Sequence, residues 1–506
     1  MSAMHTLRCS QSARIVTRHA QLPLLSHARF QSTAAASTTS TEATPASDLD
    51  SIIEVKKEIK IRTPQFNKLV GTENTPNPNS VLLDLKKLDG ELDRLHESWR
   101  KLLPTTKGPI RVRTEVHNLL PENAVVLVEN NKIVVGGKAI PNIWLRDNCQ
   151  CSSCMHESTK QRLQDTFAIP KDLSLNSASI TKKEKVHERV VDIEWSDGHK
   201  SKYSQPFLAN AITSFERRSV VRQGLMNSKL WDSSIASHPP TGTFHDATDN
   251  SIGPILQKIR KYGFCYVDKT PFDTPQATEG LLHRIAFIRE THYGGFYDFT
   301  ADLASQDTAY TNIALEAHTD NTYFSDPAGL QAFHLLSHTE GTGGASLLVD
   351  GFKVADELFQ QDKEAYRILS TVNVHAHASG NEGISIQPYR GFPVLEHDPT
   401  TGDLLRVRWN SSDRASIELP IELVETWYDA ARKFDALLKK KENEYWEQLV
   451  PGRVLIFDNW RVLHGRSSFT GKRRICGGYI NRDDWMSRVK MERFGQERVL
   501  GSLASS

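Results

Sequence analysis

Strands interrupted by long insertions, with no regular alternation of strand and helix, are the feature that most narrows the folds open to this chain. From about residue 240 to 500, apolar runs such as "RVLIFDNWRVLHG" and "RRICGGYINRDD" read as strands, whereas "IELVETWYDAARKFDALLKKKENEYW" (residues 421–446) reads as a helix. A doubly wound sheet needs a crossover helix between parallel strands. That rhythm is missing, which predicts an antiparallel β barrel or jelly roll over 240–500. Ahead of it, "AVVLVEN", "KIVVGGKAI" and "VVDIEWSDGHKSKY", bounded by Gly, Asn or Asp, predict a small β-rich domain over 108–205. A helical connector, 206–239, containing "PFLANAITSFERR", joins the two. No internal repeat is evident.

At 506 residues the chain is long for one domain, and its formal charge of +1 comes without Lys/Arg blocks alternating with aromatics. This argues against a nucleic-acid partner. No run of about 18 apolar residues marks a membrane-spanning helix. The first 41 residues contain no Asp or Glu, and Arg8, Arg14, Arg18 and Arg29 are spread among Ser, Thr, Ala and His. That is the composition of a mitochondrial transit peptide, predicted over residues 1–30 with "HARFQS" as the processing site and the matrix as destination. An untargeted disordered tail is the alternative. Residues 31–107 are predicted as a disordered linker followed by an amphipathic helix, Val81–Leu103, despite Gly90.

In "ALEAHTDNTYF" His318 and Asp320 are separated by one residue, a spacing that points both side chains to one side of a strand. By itself it leaves a metal site, a proton relay and no function all open. His464, in "LIFDNWRVLHG", adds a second imidazole. Two histidines and a carboxylate make the facial triad of non-heme Fe(II) oxygenases, with three coordination positions free. After His464 come a turn signal, "TGK" (Thr470–Lys472), and a further strand, "RRICGGYI"; if the two strands pair as a hairpin, a basic residue on the second reaches the metal from the same side of the barrel. A guanidinium on that strand would grip a dicarboxylate through two parallel hydrogen bonds. Strand parity selects Arg473, which shares a face with Ile475, Gly477 and Tyr479, over Arg474, which faces the other way.

Of six cysteines, Cys149, Cys151 and Cys154 crowd into "DNCQCSSC", a spacing better suited to a metal than to disulfides and consistent with a reducing compartment. His199 would complete a closed Cys3His zinc site, structural because no position is left for water. His156 is a rival ligand, and reduced, unligated thiols are the alternative.

The blocks "HTDNTYFSDPAGLQAFHLL", "TEGTGGASLLVDGF", "PGRVLIFDNWRVLHGRSSFTGKRRICGGYINRDD" and "NIWLRDNCQCSSC" together resemble the γ-butyrobetaine and trimethyllysine dioxygenase family of carnitine biosynthesis, over roughly residues 108–495. The resemblance is stronger to the trimethyllysine branch. It implies a double-stranded β-helix core, Fe(II), 2-oxoglutarate and ascorbate dependence, O2 as co-reactant and a homodimer. The implied reaction is hydroxylation of free N6,N6,N6-trimethyllysine at C3, the pathway's first step. Hydroxylation of γ-butyrobetaine, its last step, and an inactive quaternary-ammonium-binding module are the alternatives. Carried over by position, the resemblance implies His318, Asp320 and His464 as iron ligands, and Arg473 with Thr342 of "EGTGG" on the cosubstrate. Cys149, Cys151, Cys154 and His199 match the zinc ligands. A cation–π cage for the quaternary ammonium matches Tyr293, Tyr297 (a tryptophan in the relative), Tyr310 and Tyr479.

Overall fold

The computed structural model describes residues 126–182, 189–212, 228–248, 251–300, 311–380, 382–399 and 402–502. Strands β1 (Val126–Glu129), β2 (Lys132–Val135) and β3 (Lys138–Ile140) form an antiparallel meander. Its tight turns, Asn130-Asn131 and Gly136-Gly137, hold all four residues at positive φ, as two-residue hairpins require. A second antiparallel sheet joins β4 (Leu175–Lys182), β5 (Arg189–Trp195) and β6 (Lys200–Ser204). Ile133, Leu145, Trp195, Tyr203 and Leu208 bury one core between these sheets and the helix Gln205–Ile212. This is the predicted small β-rich unit.

Two further sheets form the main body. The larger contains β7 (Thr241–Thr243), β8 (Phe264–Asp268), β9 (Ile288–Arg289), β10 (Tyr297–Thr300), β12 (Leu330–Thr339), β17 (Arg453–Asp458) and β19 (Lys472–Ile480). Its order is β10-β19-β12-β17-β8-β7, with β9 also beside β19. The smaller runs β11 (Leu315–His318), β18 (Val462–Arg466), β13 (Ser346–Asp350), β16 (Tyr445–Glu447). A separate hairpin pairs β14 (Leu395–His397) with β15 (Leu404–Val407).

Alternation along the strands explains the layering. Phe264, Tyr266, Leu335, Leu455, Phe457 and Ile475 of the larger sheet meet Leu348, Tyr445 and Val462 of the smaller one. The intervening residues Cys265, Val267, Ala332, Val454 and Ile456 face the opposite way. There they pack on the helices Gly253–Tyr262, Gln276–Ile285 and Arg482–Ser502. Strands buried on both faces must be apolar at every position, which is why "FCYV" and "VLIF" do not alternate in sequence. The predicted jelly roll is the architecture found.

Two sequence expectations fail. β18 and β19 are not a hairpin: both edges of β18 are occupied by β11 and β13, while β19 inserts between β10 and β12 in the facing sheet. Residues 467–471 therefore cross between sheets. The helix expected over 421–446 stops at Leu438, where the Asn443 side chain donates to the carbonyl of Leu437 at 3.0 Å. Tyr445 then joins a strand because its ring belongs to the inter-sheet core. The predicted leader and the helix over Val81–Leu103 lie outside the described residues. Among those described, no helix is long and apolar enough to cross a membrane.

Candidate metal centre and cavity

β11 and β18 pair in a register that sets His318 directly opposite His464, with ring centroids 4.3 Å apart. β11 ends at His318, so strand parity does not bring Asp320 to the same place. The following turn does so, passing through Asn321 at φ 62°. The buried Asn459 side chain fixes that turn, accepting the Asp320 N–H at 2.8 Å and donating to the carbonyls of Asp320 and Ala328, both at 3.0 Å. As a result Asp320 Oδ1 lies 3.2 Å from His318 Nε2 and 3.7 Å from His464 Nε2. One donor atom from each of the three residues falls within 4.8 Å of the others.

The protonation pattern suits a divalent metal. His318 Nδ1 donates to the Glu316 carbonyl at 2.7 Å, which orients the ring so that Nε2 faces Asp320 Oδ1. Burial and the neighbouring His318 push His464 down to about 3, so it is a neutral imidazole. Burial alone would raise Asp320, but His464, His318 and the Tyr479 hydroxyl hold it well below the usual carboxylate range. Burial is the largest single influence on His318 and works against its charged form, but the hydrogen bond to Asp320, the charges of Asp320 and Asp413 and the Glu316 carbonyl together outweigh it and raise the imidazole. Two nitrogens from the paired strands β11 and β18 and one carboxylate oxygen from the turn after β11 fit a facial triad.

The triad lines a cavity of about 660 Å³, within the usual range for small-molecule sites. Arg473 also lines it, 6% exposed, while Arg474 turns outward to pair with Asp298 through bonds of 2.8 and 2.6 Å. Parity selected the inward arginine even though the hairpin was wrong. The β12–β19 bulge falls between Leu335 and Ser337 on β12, so β19 keeps its alternation. Arg473 Nε is buried with no hydrogen-bond partner among the described residues, and burial together with Arg466 pulls the guanidinium down to about 10.

Tyr293, Tyr297 and Tyr479 line the same cavity, and the rings of Tyr297 and Tyr479 stand 6.1 Å apart at 66°. Gly477 makes room for this: a Cβ there would lie 1.9 Å from the Ala332 carbonyl and 2.8 Å from the Tyr297 hydroxyl. Tyr310 lies outside the described residues. Thr342 is not brought to the cavity. It is exposed in a glycine-rich turn, donating its N–H to Thr470 Oγ1 at 3.0 Å and accepting the Thr470 N–H at 2.9 Å.

Sequence reasoning missed Asn459, Tyr323 and Gln331. Tyr323, 4% exposed, adds another aromatic to the cavity wall. Gln331 was signalled: in "LQAFHLL" it is a polar side chain at an inward position of an apolar strand. Asn459 had no periodic signal, because its role is to hold a turn 139 residues earlier.

In the small unit, His199 Nε2 lies 3.3, 3.6 and 3.4 Å from the sulfurs of Cys149, Cys151 and Cys154. Three thiols around one imidazole fit a closed tetrahedral zinc site. The rival His156 is exposed, its Nδ1 accepting the Thr159 N–H at 3.2 Å, and is not part of this cluster.

Residues 235–479 match the family model described as "Taurine catabolism dioxygenase TauD, TfdA family", and residues 135–209 match "Gamma-butyrobetaine hydroxylase-like, N-terminal". The chain is similar to the trimethyllysine dioxygenase of Neurospora crassa, 48% identical over 406 residues, covering 72% of this chain and 84% of the relative. It is 38% identical over 352 residues to the mitochondrial trimethyllysine dioxygenase of Homo sapiens, covering 69% and 82%. To the gamma-butyrobetaine dioxygenase of Pongo abelii it is 30% identical over 362 residues, covering 70% and 91%.

Proposed function

Because the chain belongs to the trimethyllysine dioxygenase family of Fe(II)- and 2-oxoglutarate-dependent oxygenases, we propose that it hydroxylates free N6,N6,N6-trimethyllysine at C3. The observation that carries this reading is the content of one cavity: the His318–Asp320–His464 triad, a buried guanidinium, and tyrosine faces together. When bound, iron with 2-oxoglutarate and O2 supplies the oxidising power, one oxygen atom going to the substrate carbon while 2-oxoglutarate leaves as succinate and CO2.

The chain's own residues bind and orient. His318, Asp320 and His464 would hold the metal, leaving room on it for cosubstrate and O2. Arg473 pairs with the distal carboxylate of 2-oxoglutarate, a charge-assisted contact for which its fork is shaped. A quaternary ammonium offers no N–H, so Tyr293, Tyr297 and Tyr479 receive it on their ring faces. With the cationic end fixed, a single carbon of the side chain comes within reach of the metal.

The Cys149, Cys151, Cys154 and His199 cluster holds a structural zinc in this reading, and ascorbate keeps the iron reduced. A mitochondrial address is supported by the printed names of the mammalian relatives and by the acid-free, arginine-bearing N-terminal segment, with the matrix as the compartment. The test is succinate formation by the purified chain with trimethyllysine and with γ-butyrobetaine. Greater turnover of trimethyllysine is expected, and equal or greater turnover of γ-butyrobetaine would overturn the substrate assignment.

A further inference from the structure

Tyr479 and Gln331 are cross-strand partners on β19 and β12, side by side on the sheet face that lines the cavity. Both are buried, at 6% and 2% exposure. Their polar ends meet on one atom. The Tyr479 hydroxyl donates to Asp320 Oδ2 at 2.6 Å, and Gln331 Nε2 donates to the same oxygen at 2.7 Å. The other carboxylate oxygen, Oδ1, is the one that faces His318 and His464. An ionised carboxylate has acceptor sites on both oxygens and can bind a metal through one or through two. Here two donors occupy Oδ2, which leaves a single oxygen for coordination.

Resting on the functional reading above, we propose that Tyr479 and Gln331 are positioning residues that keep Asp320 a one-oxygen ligand, and that Tyr479 does so while its ring forms a wall of the cation site. The consequence lies in the count of positions. Three protein donors leave three positions, of which 2-oxoglutarate needs two and O2 one. A carboxylate freed from its clamp takes one of these with its second oxygen, so 2-oxoglutarate binds less well. The ring and the hydroxyl of one residue thus serve different partners, and substitution separates them. Tyr479→Phe removes the clamp and keeps the aromatic face; Tyr479→Leu removes both; Gln331→Met removes the other donor at nearly constant length.

The experiment is an anaerobic titration of the Fe(II)-loaded full-length chain with 2-oxoglutarate, followed by the visible charge-transfer absorption of the complex, with calorimetric titration of trimethyllysine alongside. Tyr479→Phe and Gln331→Met are each expected to weaken 2-oxoglutarate binding about tenfold, the effect of one charge-assisted hydrogen bond. Tyr479→Phe is expected to leave trimethyllysine affinity within about threefold of wild type, whereas Tyr479→Leu loses about tenfold or more. If Tyr479→Phe does not fold, Gln331→Met carries the same test. Variants that titrate like wild type overturn the inference, as does a Tyr479→Phe enzyme that loses trimethyllysine as severely as Tyr479→Leu. A wild-type chain that gives no absorption with Fe(II) and 2-oxoglutarate overturns the oxygenase reading itself, an outcome distinct from the first two.

Discussion

Replacing Arg473 with Met should damage cosubstrate binding while making the unliganded protein more stable. The guanidinium is buried and its Nε has no hydrogen-bond partner among the described residues; its Cζ lies 5.6 Å from the Phe469 ring centroid. A desolvated cation without a carboxylate costs folding energy, and burial lowers its affinity for its proton toward about 10. In the proposed function, the distal carboxylate of 2-oxoglutarate supplies the missing partner. Two charge-assisted hydrogen bonds at roughly 1.5–3 kcal/mol each, less the desolvation of the ligand, come to about 3–4 kcal/mol. That corresponds to a Kd for 2-oxoglutarate raised by between two and three powers of ten. Arg473→Lys keeps the charge but loses the fork, and should weaken binding by about tenfold. In the unliganded protein, Arg473→Met should raise the thermal midpoint by about 1–2 °C, and 2-oxoglutarate should no longer raise it further. Arg474→Met is the control. Its bidentate pair with Asp298 is partly solvent-exposed, so screening reduces its worth to under about 1 kcal/mol, and 2-oxoglutarate affinity should stay within about twofold. The assay is a thermal melt with and without 2-oxoglutarate, plus direct titration, on all four proteins. An Arg473→Met protein that melts earlier than wild type and binds 2-oxoglutarate normally would refute the reasoning.

Two further predictions concern stability. His334 is fully buried; its Nε2 accepts the Gly452 N–H at 3.1 Å, so Nδ1 carries the proton it gives to Thr278 Oγ1 at 2.6 Å. Burial holds it neutral down to about pH 4, below the 6.5 of an ordinary histidine. The unfolded chain therefore binds the proton first, and stability present above pH 6.5 is lost as pH falls toward 4, by about 1.6 kcal/mol between pH 6.5 and 5. Urea midpoints should fall over that window, and His334→Gln should flatten the fall; equal slopes in the two proteins would count against this. Cys154→Ser should reduce bound zinc from about one per chain to a small fraction and lower the melting temperature by several degrees, whereas His156→Ala should change neither. Elemental analysis with parallel melts decides it, and zinc retained by Cys154→Ser would remove that sulfur from the ligand set.

What could be read early has a local cause. The histidine–aspartate pair, the later histidine and the crowded cysteines are chemical types in short spacings. The choice of Arg473 over Arg474 needed only the two-residue period of a strand, which survived because the bulge fell on the neighbouring strand. The helix over 421–446 was overextended because lysine and glutamate favour helix locally, whereas the ring of Tyr445 has an inter-sheet core to fill. The family resemblance suggested a cosubstrate contact for Thr342, but its backbone is committed to Thr470 in an exposed glycine-rich turn.

By itself, the sequence determined which candidate groups this protein offers to a metal, a dicarboxylate and a quaternary ammonium in the proposed function, because those depend on residue type and short-range periodicity. Only the tertiary structure decided how they meet. β18 and β19 join opposite sheets, β18 between β11 and β13 and β19 between β10 and β12, so His464 and Arg473 reach the cavity from facing walls. Asp320 is aimed by Asn459 and held by Gln331 and Tyr479, which come from distant points in the chain. Contacts made across folded sheets leave no period in the sequence, and it is they that turn a pair of residues two apart into a directed ligand.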